Sequence, residues 1–198
     1  MPSFTVEQLS LSQVRALYAG RMREDFPPDE IKPLSAIERA MGRGEYVCLG
    51  AMDGEEILAY AFFVKLREGE RGFALFDYLA VKKEARCMGV GSAFLQALIS
   101  GSLKSMACVL LEVDDPAFVP DETERDVRNR RLRFYLRNGL RDTSVTAVVF
   151  GVHFRILALP VGTCPSPDET RRMYAALYRA IMPRHIYERE VLIHGLPE

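Results

Sequence analysis

Tryptophan is absent from this 198-residue chain, histidine occurs only three times, and the formal net charge is -1. So small a charge supplies no global field toward nucleic acid or anionic lipid, and neither partner is expected. No apolar run approaches the length needed to span a bilayer. The opening Met1-Pro2-Ser3-Phe4 lacks the basic and apolar regions of a signal peptide, so a cytoplasmic location is expected. The four cysteines (Cys48, Cys87, Cys108 and Cys164) are scattered without a C-x-x-C pair, and His153, His185 and His194 have no ligand spacing. Neither a disulfide nor a metal is expected from that pattern. Cys48 and Cys108 sit in apolar runs as small core residues, and a nucleophilic Cys87 would need a paired base. Internal repeats and low-complexity linkers are missing as well. What remains is 48% hydrophobic with mixed charges, a globular composition with enough length for one ordinary domain over residues 1–198.

Hydrophobic periodicity divides the chain into alternating helices and strands. From Ser12, the residues Val14, Leu17, Tyr18 and Met22 share one face of a helix that ends before Phe26-Pro27-Pro28. A second helix runs from Pro33 to Met41, closed by Gly42 and Gly44. Strands at Glu45–Ala51 and Ile57–Leu66 flank Asp53-Gly54 as a hairpin. Phe73–Val81 is the next strand, and a helix with Phe94, Leu95 and Leu98 facing inward follows it. Ala107–Val113 is continuously apolar, as a strand buried on both faces must be. An arginine-rich helix spans Asp121–Asn138 and stops at Gly139. Val145–Phe150 and His153–Leu159 form a second hairpin, and a helix from Pro167 to Met182 carries Tyr174, Leu177, Tyr178 and Ile181 on one face.

The most informative segment joins strand 73–81 to the helix after it. It reads Leu79-Ala80-Val81-Lys82-Lys83-Glu84-Ala85-Arg86-Cys87-Met88-Gly89-Val90-Gly91-Ser92. Glycines at a strand-to-helix turn let backbone N–H groups approach a ligand without Cβ obstruction. The helix start adds unpaired donors and partial positive charge, which together suit a pyrophosphate. A dinucleotide fingerprint would need a third glycine where Phe94 stands, and no Gly-Lys-Ser/Thr run of a P-loop occurs. Arg86-x-x-Gly89-x-Gly91 after this strand resembles the acyl-CoA signature of the GCN5-related N-acetyltransferase superfamily. That resemblance implies an α/β fold: a mixed sheet with a central parallel, splayed strand pair, flanked by helices. The core would cover about residues 3–159, with a C-terminal helical extension over about 160–198. It also implies acetyl-CoA as co-substrate, contacted by Leu79, Ala80, Val81 and the loop Arg86, Cys87, Met88, Gly89, Val90, Gly91 and Ser92.

Acyl transfer to an amine needs a deprotonated nitrogen, a polarised carbonyl and a proton for the departing thiolate. Arg128 to Leu140 resembles the superfamily's Asn-x-x-Ala-x-x-x-Tyr-x-x-x-Gly-Phe helix, which places Tyr135 where a tyrosine protonates the CoA sulfur. Arg128 takes the asparagine position and could reach a CoA phosphate instead. Asp77 and Glu112 are lone carboxylates inside apolar strands, costly there unless paired or lining a cavity. Each is a candidate base or amine-binding group, and each could also be architectural. Acids Asp114, Asp115, Asp121, Glu122 and Glu124, with Asp25, Asp29 and Glu30 near the first loop, could form a negative rim for a cationic acceptor or simply solvated loop charge. The six arginines from Arg125 to Arg137 read as a solvated helix face rather than a nucleic-acid surface.

The expectation is therefore an acyl-CoA-dependent N-acetyltransferase acting by direct attack of a small-molecule or peptide amine, without metal. A CoA-binding sensor or structural module of the same fold is the alternative. A homodimer is left open, as is the identity of the acceptor.

Overall fold

The structure, a computed structural model, describes residues 3–28, 30–68, 71–160 and 164–196. The chain has a mixed α/β fold with, among the described residues, eight strands in a mostly antiparallel sheet. By compactness it divides into two units, Met1–Lys65 with Asp77–Leu98, and Leu66–Phe76 with Ile99–Glu198. Asp29 of the expected acidic rim lies outside the described residues. No helix among the described residues is long and apolar enough to cross a membrane.

In the first unit, β1 (Thr5–Gln8) pairs antiparallel with β2 (Tyr46–Asp53), which pairs antiparallel with β3 (Glu56–Glu68). Gly54, at a φ of 59°, turns the β2–β3 hairpin, as the Asp53-Gly54 signal requires. A Cβ at Gly50 would stand 2.7 Å from Leu9 Cδ2, so close approach of the 9–10 segment explains that glycine. Helix α1 (Leu11–Ala19) starts on a Ser10–Gln13 capping box and buries Val14 and Leu17. The single helix expected to run on through Met22 is broken: Gly20 caps α1, and α2 (Met22–Asp25) restarts with Met22 fully buried. Glycine's weak helix propensity permits the break. The Arg21 guanidinium then donates to the Ile57 carbonyl oxygen. Helix α3 (Leu34–Gly42) follows Pro33 and buries Ile37.

Strand β4 (Arg71–Val81) passes from the second unit into the first, where a short 3-10 turn (Lys83–Ala85) leads to α4 (Val90–Ser100). In the second unit, β4 pairs in parallel with β5 (Met106–Asp114), and β5 pairs antiparallel with β7 (Val152–Pro160). The parallel register runs to Phe76↔Leu111 among the described residues, one position short of Asp77 and Glu112. Helix α5 (Glu122–Arg137) is capped by Asp121, and Gly139 follows it at a φ of 97°. Strand β6 (Arg141–Val149) begins four residues before the expected start. Ser144, at a φ of 60°, forms a bulge that hides the alternation there.

The extension holds more than the expected helix. Helix α6 (Pro167–Ile181) starts on a Ser166–Glu169 capping box. Then α7 (Arg184–Glu190) and β8 (Val191–Ile193) follow, with β8 pairing antiparallel to β6. A three-residue strand carries no readable alternation, which is why it went unexpected.

Candidate active site

The loop expected to hold acyl-CoA begins where β4 ends, with Leu79, Ala80 and Val81 half-buried. Residues 86–89 form an exposed turn in which Cys87 and Gly89 take φ values of 63° and 80°. Glycine adopts that region without cost, and a Cβ on Gly89 would meet nothing within 4 Å, so the loop's outer face is open. The first helical bond of α4 is Ala93 N–H to the Gly89 oxygen at 3.0 Å. The N–H groups of Val90, Gly91 and Ser92 therefore precede the ladder and add to the positive end of the helix. An anion fits this cradle.

Arg86 does not point freely outward. Its Nε donates to the Val81 oxygen at 2.9 Å and its Nη2 to Asp25 Oδ1 at 2.7 Å, which ties the turn to the end of its own strand. Asp25 is nearly buried and also accepts from the Tyr60 hydroxyl at 3.0 Å. Asp25 thus braces the loop from α2 rather than forming part of an open acidic rim.

Asp77 is buried at its side chain, 8% exposed, and both oxygens are engaged. Oδ1 accepts from Lys32 Nζ and Oδ2 from the Tyr46 hydroxyl. Burial, then the nearby Asp77 charge, pushes the Tyr46 phenol well above its ordinary value, so this proton stays on Tyr46. Tyr78 is raised for the same two reasons. Its hydroxyl accepts from the Lys32 backbone N–H at 2.8 Å and donates to the Glu30 oxygen at 2.9 Å, pinning the loop before α3.

In the second unit, Glu112 is half-buried on β5, and its Oε1 accepts from two α6 phenols, Tyr174 and Tyr178, the latter at 2.5 Å. Tyr174 is fully buried, and burial followed by the Glu112 charge raises its phenol well above the usual range. Tyr135 is buried on α5 at 7% exposure. Its phenol is raised chiefly by burial and secondarily by Asp114, against an opposing effect of Arg131. Arg128, the candidate phosphate ligand, is half-buried between Asp114 and Glu124, with a 2.6 Å contact to the latter. Arg131 lies 3.4 Å from Asp114 as well. Asp115 pairs with Arg155 at 3.8 Å, and Asp121 caps α5. Asp25, Asp114 and Asp115 of the supposed rim are thus internal, while Glu30, Asp121, Glu122 and Glu124 stay exposed. Among the described residues no group of three or more His, Cys, Asp or Glu is placed to hold a metal.

Sequence reasoning missed Lys32, Tyr46, Tyr174 and Tyr178, the donors that satisfy the two strand carboxylates. A buried carboxylate signals that donors exist, and only the fold says which.

The sequence model of the Acetyltransferase (GNAT) family matches residues 11–120. No curated protein matches the chain significantly. Among solved structures, Arabidopsis thaliana NAA60 in complex with acetyl-CoA is 16% identical, with a TM-score of 0.58, covering 79% of this chain and 97% of that one. The ribosomal-protein-S18-alanine N-acetyltransferase of Escherichia coli is 18% identical at a TM-score of 0.54, covering 82% and 97%. An aminoglycoside 6'-N-acetyltransferase complexed with coenzyme A is 16% identical at 0.58, covering 82% and 99%. At such identities these structures establish likeness of fold.

Proposed function

Because the chain belongs to the acetyltransferase (GNAT) family, we propose that it transfers an acetyl group from acetyl-CoA to a primary amine of a small molecule or peptide, by direct attack. The observation that carries this reading is the loop at residues 86–92: an open positive-φ turn feeding the unbonded N–H groups of α4. Acetyl-CoA supplies the activated acyl group and a thiol leaving group. The residues 79–81 and 86–92 hold it, with Arg86 shaping the turn through its bonds to Val81 and Asp25.

Asp77 is the proposed base. Of its two partners, Tyr46 is buried and stays, whereas Lys32 is half-exposed and can yield its place to an incoming amine. Tyr135, whose phenol is held in its protonated form, is the proposed donor of a proton to the departing sulfur. Glu112, bonded by two phenols, is the alternative to Asp77. Arg128 stands ready for a phosphate only if it leaves Asp114 and Glu124. Two structural neighbours are named for nitrogen acceptors, an alanine of a ribosomal protein and an aminoglycoside 6'-nitrogen, which supports an amine here.

The internal pairing of both carboxylates favours a second reading, a CoA-binding module without turnover. Calorimetric titration with acetyl-CoA, followed by detection of free thiol over a panel of amines, tests the pair. Absence of binding defeats both readings, and binding without amine-dependent thiol release defeats the first.

A further inference from the structure

The Asp77 carboxylate already holds a primary amine, and it is the chain's own. Lys32 Nζ contacts Asp77 Oδ1 and lies 5.7 Å from the centre of the Tyr78 ring. Its backbone is fixed by the Tyr78 hydroxyl, so the side chain is presented from a pinned loop rather than from a wandering one. The Lys32 side chain is 35% exposed while Asp77 is 8% exposed, so the amine sits at the mouth of a buried acid. Among the described residues, the other lysine in an ion pair, Lys82, meets Glu56, which is 51% exposed. Asp77 stands two residues before Leu79 on β4, the strand that runs into the acyl-CoA loop.

We propose that Lys32 is itself an acetyl acceptor, a self-modification site that is filled when no other amine displaces it. The inference rests on the acetyl-CoA reading above and on Asp77 as its base. The Lys32 ammonium first gives one proton to Asp77, which passes it to solvent. The nitrogen then attacks the thioester carbonyl, a C–N bond forms and the C–S bond breaks. The second nitrogen proton is lost as the sulfur takes one up, so CoA leaves as the thiol. No oxidant or further reactant is needed. The product is neutral, so the ion pair to Asp77 is gone, while the bonds of Tyr78 to the loop carrying Glu30 and Lys32 remain. Proximity makes the step intramolecular, which gives this lysine an advantage over any other on the surface.

The full-length protein is incubated with acetyl-CoA and no added amine, and peptides are mapped by mass spectrometry. The expected result is a single acetyl adduct at Lys32, forming at a rate independent of protein concentration. It should form at least roughly tenfold faster than any adduct at the exposed Lys104, and slow by a similar factor in Asp77→Asn. Lys32→Arg keeps the charge beside Asp77, folds without the asparagine variant's unpaired partners, and should show no adduct there. Lys32 left unmodified in protein that binds acetyl-CoA by calorimetry overturns the inference, as does an adduct no faster than that at Lys104. If Lys32 stays unmodified in the amine-free incubation while added spermidine supports thiol release, this inference falls alone. If acetyl-CoA does not bind, the underlying reading falls with it.

Discussion

Replacing Gly91 by valine separates the two demands that its position makes. Gly91 is the second residue of α4, and in a helix valine has a better propensity than glycine by a few tenths of a kcal/mol. The melting temperature of the ligand-free protein should therefore stay within about 2 °C of the parent. The proposed CoA cradle responds differently. The N–H groups of Val90, Gly91 and Ser92 lie ahead of the first helical bond, and a branched Cβ among them holds an anion off. A hydrogen bond to a charged group is worth about 1.5–3 kcal/mol. Losing one lowers affinity roughly ten- to hundredfold. Gly89→Ala is the complementary control: its Cβ meets nothing, but a φ of 80° costs an alanine about 1–2 kcal/mol. That variant should melt roughly 2–8 °C lower. Differential scanning calorimetry gives the first number and titration with CoA the second. A folded Gly91→Val protein with parental CoA affinity would refute the assignment of this turn.

Three further outcomes follow from the other groups. Tyr135→Phe keeps the ring in its buried place and removes only the hydroxyl, so CoA affinity and melting should hold while kcat falls by about 10²-fold or more; an unchanged kcat returns Tyr135 to a packing role. Tyr174→Phe removes one of the two phenols on Glu112, costing about 2 kcal/mol and roughly 4–8 °C of melting temperature, and an unaltered melt would show that the bond contributes nothing. The phenols of Tyr46, Tyr60, Tyr78, Tyr135 and Tyr174 are all raised, chiefly by burial. A folded-state pKa above the unfolded one gives stability that is complete below the unfolded value. These phenols should therefore leave melting flat through neutral pH and lower it above about pH 10. Tyrosinate absorbance in which all eight tyrosines of the folded protein titrate at the ordinary value would contradict that.

The sequence carried the fold wherever a pattern repeats over enough residues. The apolar run at residues 107–113 became β5, the shared face of Tyr174, Leu177, Tyr178 and Ile181 became α6, and Asp53-Gly54 turned a hairpin. It failed where geometry is decided by single residues: Gly20 interrupts α1, Ser144 bulges β6, and β8 is too short to alternate. The site shows the same division. The turn at residues 86–89 was legible because its glycine and the helix after it lie within one short stretch of chain. Lys32 lies 45 residues from Asp77, and Tyr174 lies 62 from Glu112. No local pattern joins such pairs, so the carboxylates could be picked out while their donors could not. Arg128 read as exposed charge because helix periodicity says nothing of Asp114, buried on another element.

The central claim is transfer of an acetyl group to an amine, and the most direct measurement is multiple-turnover release of CoA thiol from acetyl-CoA. Small primary amines, polyamines, aminoglycosides and peptides with free N-termini would each be added to the full-length protein, with N-acetyl product identified by mass. The account predicts at least one acceptor for which thiol and N-acetylated product appear in equal amounts over many turnovers, with both lost in Tyr135→Phe. Tight binding of acetyl-CoA with no amine-dependent thiol above the background of hydrolysis would contradict it.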